Sequence, residues 1–151
     1  MQTNNERTID VLQELNQFVN DRMEGYKHAA EETKNPAHKS FYKDLIQESK
    51  SFSNEINSTL SSFGGEREEG TTMKGKIFRG WMDVKATVTG NDEESIVESN
   101  IYGEEWAQKA YNDALDHKAE LPQNVVQMVE KQKNSSLATC ERLRQMKESV
   151  D

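Results

Sequence analysis

The sequence predicts an all-α protein: a four-helix bundle built from two antiparallel hairpins, with a long crossover that contains a short extra helix. Three observations favour this fold. Apolar residues recur at steps of three and four, which is the period of an amphipathic helix. The 151 residues include only two prolines and eight glycines, so few residues interrupt the helices. Each proline falls at the start of the second helix of a predicted hairpin.

The first helix is predicted over residues 5–32. Thr3 and Glu6 have the spacing of a capping box at its start. Its apolar residues form one stripe, which we expect to face the core: Leu12, Leu15, Val19, Met23, Tyr26 and Ala30.

The second helix is predicted over residues 36–63, with Asn35 as its N-cap, Pro36 as its first residue and Gly64-Gly65 at its end. One face carries most of its large apolar residues: Phe41, Leu45, Phe52, Ile56 and Phe63. The connection to the first helix is short, so the two helices are expected to form an antiparallel hairpin.

The crossover starts with EREEGTT, which we interpret as a charged loop. A short amphipathic helix is predicted after it, over residues 73–88, with Met73, Ile77, Trp81 and Val84 on its apolar side.

The second hairpin is predicted to pair a helix over residues 92–120 with one over residues 122–149, and Leu121-Pro122 separates them. The inward positions of the first of these helices are Ile96, Val97, Ile101, Ala107, Ala110, Tyr111, Ala114 and Leu115. Those of the last helix are Val125, Val129, Cys140, Leu143 and Val150. Two hairpins joined by a long crossover is the ferritin-like connectivity. A plain up-down-up-down bundle with a decorated loop is the alternative.

The composition narrows the classes of function. The formal net charge is −8, which repels a phosphate backbone and argues against nucleic-acid binding. Cys140 is the single cysteine, so no internal disulfide forms and a reducing compartment fits. The N-terminal residues lack the apolar stretch of a signal peptide, and no apolar run reaches membrane-spanning length. We therefore expect a cytoplasmic protein.

Six segments carry a resemblance to a known family: MEGYKHAAEE (23–32), FGG (63–65), RGWMDVKATVTGND (79–92), YGEEWAQKAYNDAL (102–115), LPQNVVQMVEKQ (121–132) and CERLRQMKE (140–148). With these segments the chain resembles a bacterial family of ferritin-like four-helix-bundle proteins whose function is unknown. The resemblance implies a bacterial source and a ferritin-like fold, and it implies no reaction. Members of that family often have histidine where this chain has Cys140.

Ferritin-like bundles raise the question of a di-iron carboxylate site. Such a site takes one glutamate from each of two helices and a Glu-x-x-His motif from each of the other two. The histidines are His28, His38 and His117, and none of them lies three residues after a glutamate. On the first helix, Glu24 falls nearly opposite the apolar stripe and is expected to face water. The sequence therefore argues against a di-iron oxidase.

Two glutamates remain as candidate metal ligands. Glu48 lies at the edge of the apolar face of its helix, and Glu104 lies in the middle of an apolar arc. Each is about 12 residues, or ~18 Å, from the same end of a ferritin-like bundle. A polar cluster with Ser136 and Cys140 is expected at that level, with Tyr111 and Gln132 farther along. It would either hold iron or manganese in a degenerate site or be a hydrogen-bonded structural feature.

The crossover supplies a candidate docking surface. Its basic residues outnumber its acidic ones and accompany a tryptophan: Lys74, Lys76, Arg79, Trp81 and Lys85. A basic amphipathic helix can bind a membrane surface or a protein partner. The alternative is that its apolar side packs on the bundle while the lysines meet acidic surface.

The leading hypothesis is a non-enzymatic protein with a structural or interaction role, which includes self-association and, without support from any residue, an association with stress. No catalytic residue, cofactor-binding motif or small-molecule substrate is identified. The rival hypotheses are a metal-binding or oxidoreductase protein that uses Glu48 and Glu104, and a docking module that uses the crossover helix.

Overall fold

The computed structural model describes residues 3–71 and 93–150, and these residues contain four long α-helices and no strand. The helices are α1 (Asn4–Glu32), α2 (Pro36–Ser62), α3 (Glu93–Leu115) and α4 (Gln123–Val150), with a 3₁₀ turn at Lys118–Glu120 between the last two. The predicted all-α bundle is confirmed. The predicted crossover helix over residues 73–88 lies outside the described residues.

Local side chains account for the ends of the first two helices. Thr3 Oγ1 accepts a hydrogen bond from the Glu6 amide at 3.0 Å, which satisfies a free N–H at the start of α1. Asn35 Oδ1 accepts from the amides of Ala37 and His38 at the start of α2. Gly64 has a φ of 81°, a left-handed conformation that ends α2 with little steric cost only in glycine. The caps predicted from the sequence are confirmed.

The helix predicted over residues 92–120 is shorter than expected. It was predicted to continue to residue 120, but α3 ends at Leu115 and the chain then tightens into the 3₁₀ turn. The turn brings Leu121 into the core, where 8% of its surface is exposed, and places Glu120 3.0 Å from the guanidinium of Arg7 on α1. Burial of Leu121 and this ion pair favour the tighter turn over another turn of α-helix.

Contacts between helix ends define the connectivity. Asn5, at the start of α1, donates to the carbonyl of Phe63 at the end of α2, so these helices are antiparallel. Glu93, at the start of α3, accepts from the hydroxyl of Thr33 and the amide of Lys34, which both follow α1. The start of α3 therefore lies at the end of the bundle where α2 starts, and α2 and α3 are parallel. The parallel direction of α2 and α3 agrees with the predicted plan of two hairpins.

The core consists of two apolar clusters with a polar layer between them. One cluster lies towards the start of α1 and includes Leu12, Val19, Phe52, Tyr111 and Val129. The other lies towards the end of α1 and includes Tyr26, Leu45, Val97, Leu143 and Met146. Most predicted inward residues are buried, and five of them are only half-buried: Met23, Phe41, Phe63, Ile101 and Leu115. The side chain of Val150 is outside the described part of the chain. The residues between the two clusters on α1, α2, α3 and α4 are Arg22, Ser49, Glu104 and Ser136.

Within residues 3–71 and 93–150, no helix combines the length and the hydrophobicity that crossing a membrane requires.

Candidate functional site

The polar layer is centred on the guanidinium of Arg22, whose side chain is fully buried. Its Nε donates to Glu104 Oε1 at 2.5 Å, its Nη2 to Glu48 Oε1 at 2.9 Å and its Nη1 to Ser49 Oγ at 2.9 Å. The three nitrogens therefore reach acceptors on α2 and α3 while the stem comes from α1. A single side chain holds three helices at one level.

Glu104 is the second fully buried charge of this layer, with 0% of its side chain exposed. Besides the guanidinium it accepts hydrogen bonds from the Tyr26 hydroxyl at 2.7 Å and from Ser136 Oγ at 2.5 Å. Both carboxylate oxygens thus have donors, and Ser136 brings α4 into the network. Because each charge has hydrogen-bonded partners, the cost of removing it from water is offset.

Two aromatic rings flank the guanidinium. The Cζ atom of Arg22 lies 5.4 Å from the centre of the Tyr26 ring and 5.6 Å from that of Phe52. Cations are attracted to the faces of aromatic rings at this distance, and a planar guanidinium also packs well against them. The pocket is thus shaped for an arginine, with carboxylates at its edges and rings on its faces.

A second hydrogen-bonded chain extends from this layer towards the surface. The Tyr111 hydroxyl donates to Gln132 Oε1 at 3.1 Å, and Gln132 Nε2 donates to Glu55 Oε1 at 2.9 Å. Tyr111 and Gln132 are fully buried, whereas Glu55 is exposed. These bonds link α3, α4 and α2 one to two turns from Arg22.

The electrostatics of the layer favour a permanently charged arginine. Burial alone would lower the pKa of Arg22, but the negative charge of Glu104, with smaller contributions that include Glu48, outweighs burial and raises the pKa. Burial and the charge of Glu104 raise the pKa of Tyr26 well above its ordinary value. Burial likewise raises the pKa of Tyr111. The layer therefore contains neutral phenols around a fixed ion pair.

The residues of the polar layer do not fit the di-iron carboxylate centre for which ferritin-like bundles are known. A cation bound between Glu48 and Glu104 would have to displace the guanidinium that now binds both carboxylates. In the two described stretches of the chain, no group of three or more His, Cys, Asp or Glu side chains is arranged to hold a metal ion. The chemistry present is that of an internal ion pair.

The structure brings several predicted site residues together. Glu48 and Glu104 lie at one level, on either side of Arg22, as the count of helical residues predicted. Glu104 is fully buried, while 33% of the Glu48 side chain is exposed. Cys140 is buried, and burial raises the pKa of its thiol, which favours the unreactive protonated form. The candidate docking residues between Lys74 and Lys85 lie outside the described stretches.

The central residue, Arg22, was missed in the sequence. The inward stripe of α1 was read through Met23, which is only half-buried. The residues that are in fact buried step by three and four through position 22: Leu12, Leu15, Val19, Arg22, Tyr26 and Ala29. Positions 22 and 23 both continue a stripe with steps of three and four, so residue spacing alone did not place Arg22 on the core face.

A second polar cluster fixes the beginning of the crossover. Side-chain amides of Asn16 and Asn20 on α1 and Asn57 on α2 bind the backbone of Glu68 and Gly70. The side chains of this loop are largely exposed, as predicted for a charged loop, but its backbone is held in the groove between α1 and α2. The sequence analysis did not predict this attachment.

A third polar cluster joins the start of α3 to the first hairpin. Glu93 Oε1 accepts from the Thr33 hydroxyl and lies 3.0 Å from His38 Nδ1, while Oε2 accepts from the Lys34 amide at 3.1 Å. Burial would raise the pKa of Glu93, but these hydrogen bonds, with that of Thr33 the largest, lower it below its ordinary value. The start of α3 is thereby attached to the turn between α1 and α2.

Comparison with known proteins gives one match. The family model of DUF2383, a domain of unknown function, matches residues 7–117, which include Arg22, Glu48 and Glu104. No curated protein and no solved structure matches the chain.

Proposed function

The chain belongs to the DUF2383 family, and from the geometry of its polar layer we propose that it is a non-enzymatic protein with a structural or interaction role. One observation carries this proposal: the guanidinium of Arg22 binds both inward carboxylates, Glu48 and Glu104. In an enzyme of the di-iron class these groups would bind the metal. Here the guanidinium of Arg22 is bound to both of them instead.

The polar layer has the features of a buried ion pair that specifies how the helices align in the fold. Buried ion pairs contribute little net stability, and their best-attested role is to fix register between helices. The Arg22–Glu104 pair with Tyr26 and Ser136 joins α1, α3 and α4, and Glu48 and Ser49 add α2. Function would then reside on the surface of the bundle. The single cysteine and the acidic composition support a cytoplasmic location, and a ferritin-like affiliation is part of the same proposal.

The rival is a degenerate iron or manganese site at Glu48 and Glu104. It predicts that Arg22 leaves the layer when the metal binds. The two proposals predict different amounts of metal bound to the purified protein.

The test is elemental analysis by mass spectrometry of protein purified without an affinity tag or chelator. We expect less than about a tenth of an equivalent of iron, manganese or zinc per chain, because the buried guanidinium already occupies the place between the two carboxylates. Addition of iron(II) or manganese(II) under anaerobic conditions, followed by desalting, should leave the content unchanged.

Glu104→Gln and the exposed neighbour change Glu105→Gln provide the matched pair. About one equivalent of metal in the wild type and in Glu105→Gln, lost in Glu104→Gln, would overturn the proposal in favour of the metal-binding rival. Equal and low metal content in all three proteins would support it.

A further inference from the structure

The groove between α1 and α2 is lined by amide side chains, and we propose that it is a binding site for an extended peptide segment of a partner protein that carries a glutamate at its centre. In the isolated chain, residues 66–70 lie in this groove as an internal occupant. The inference rests on the proposed interaction role, because it names the partner class and the surface.

The contacts to the occupant are mainly to its backbone. Asn57 binds both main-chain groups of Glu68: its Oδ1 accepts from the Glu68 amide at 2.7 Å, and its Nδ2 donates to the Glu68 carbonyl at 3.5 Å. Asn16 and Asn20 donate to that same carbonyl at 3.0 and 3.3 Å. Asn20 also donates to the Gly70 carbonyl at 2.7 Å. This arrangement recognises an extended main chain whatever its side chains.

One contact adds selectivity for a side chain. Gln17 Nε2 donates to Glu68 Oε1 at 2.9 Å and the Gly70 amide donates to Oε2 at 3.0 Å, so both side-chain oxygens accept and the central position is read as a carboxylate. The remaining side chains of the segment point away from the groove or are exposed, which leaves the neighbouring positions unconstrained. A partner segment therefore needs an extended backbone and a central glutamate.

The internal occupant does not satisfy the groove completely. Asn16, Asn20 and Asn57 are buried, and the Ser53 hydroxyl fixes Asn20 by donating to its Oδ1 at 3.0 Å. Asn16 Oδ1 is buried and has no hydrogen-bond donor in the described stretches. Since buried acceptors are nearly always paired, this oxygen marks a place for one further N–H from a better-fitting peptide.

The test uses a variant that weakens the internal occupant. Glu68→Pro removes the N–H that Asn57 accepts and the carboxylate that Gln17 binds. A fluorescent peptide with the sequence of residues 65–71, blocked at both ends, is then titrated by anisotropy. We expect it to bind Glu68→Pro at least about tenfold more tightly than the wild type, where the tethered segment competes at an effective concentration of order millimolar.

Glu69→Pro is the matched control, because the only side-chain contact of Glu69 in the described stretches is an exposed ion pair with Arg67. It should bind the peptide as weakly as the wild type. Adding Asn57→Ala to Glu68→Pro should weaken binding at least about tenfold, as should a peptide with lysine at the central position. Equal affinity of Glu68→Pro and Glu69→Pro, or no effect of Asn57→Ala, would overturn the inference.

A measurement on the unaltered protein covers the case in which Glu68→Pro fails to fold. Hydrogen exchange of the Glu68 amide should be slow in the free protein and should accelerate when excess unlabelled peptide displaces the segment. Unchanged exchange at peptide concentrations of several millimolar would count against the site. Metal analysis is independent of these results: a metal-free protein without peptide binding would refute only the inference, and a metal-loaded protein would refute the proposed function.

Discussion

At the scale of single residues, one buried ion pair is expected to dominate the effect of the polar layer on the free energy of unfolding. Arg22 and Glu104 are both removed from water, and each offsets most of the free-energy cost of burying the other's charge. Loss of one partner leaves the other charge buried, which is far more costly than the net contribution of the intact pair. Glu48 is less critical because a third of its side chain is exposed to solvent.

Glu104→Gln is therefore expected to lower the free energy of unfolding by about 3 to 5 kcal/mol. Glu105→Gln changes the same residue type one position along α3, where the ion pair with Arg144 is half-exposed and the expected change is about 0.5 kcal/mol or less. Urea unfolding followed by circular dichroism gives both values. Similar losses in the two variants would show that the buried pair does not have the role assigned to it.

The sequence identified the carboxylates of this layer but not its cation. Glu104 stood out because a glutamate in the middle of an apolar arc requires a reason. Arg22 did not, because arginine in a helix is usually exposed and its neighbour Met23 offered an apolar alternative. The distinction depends on a rotation of ~100° about the helix axis, and residue spacing alone did not resolve it because both positions continue the apolar stripe.

At the scale of the elements, the ends of helices were the most predictable features. The caps at Thr3 and Asn35 and the glycine at position 64 follow from local chemistry that acts within a few residues. The end of α3 was less predictable, because burial of Leu121 and the contact of Glu120 with α1 are tertiary interactions. The attachment of residues 66–70 was missed for the same reason: asparagines on two different helices create it.

The stability that Glu93 contributes at the start of α3 is expected to depend on pH. Its pKa in the folded protein is lowered below the ordinary value of 4.5, so it stabilises the fold fully above that pH. This stabilisation is lost as the pH falls through the folded-state pKa, because the protonated carboxyl no longer accepts the same hydrogen bonds. The free-energy difference between wild type and Glu93→Gln should therefore shrink as the pH falls below about 4.5.

Thermal or urea unfolding at pH values from 3 to 7 measures this difference. Glu31→Gln, which alters an exposed glutamate at the same end of the bundle, is the control and should follow the wild type throughout. A difference between wild type and Glu93→Gln that persists undiminished at the lowest pH would show that the carboxylate is not the group responsible.

At the scale of the whole molecule, the connectivity is defined by which helix ends meet. Glu48 and Glu104 lie at one level, and α2 and α3 start at the same end of the bundle and run parallel. In an up-down-up-down bundle α3 would start where α2 ends, and the two residues would still lie near mid-helix. The level of the site alone does not distinguish the two plans, whereas the ends of the helices do.

Distances between spin labels test the plan directly. Labels at Lys39 and Ser62 mark the two ends of α2, and a label at Asn112 marks the last turn of α3; all three residues are exposed. In the structure Asn112 lies at the end of the bundle that contains Ser62, so the distance from Asn112 to Ser62 should be at least about 10 Å shorter than the distance from Asn112 to Lys39. The up-down-up-down plan predicts the reverse order. The buried Cys140 is changed to alanine in every labelled protein, and loss of both distances in urea confirms that they report the fold.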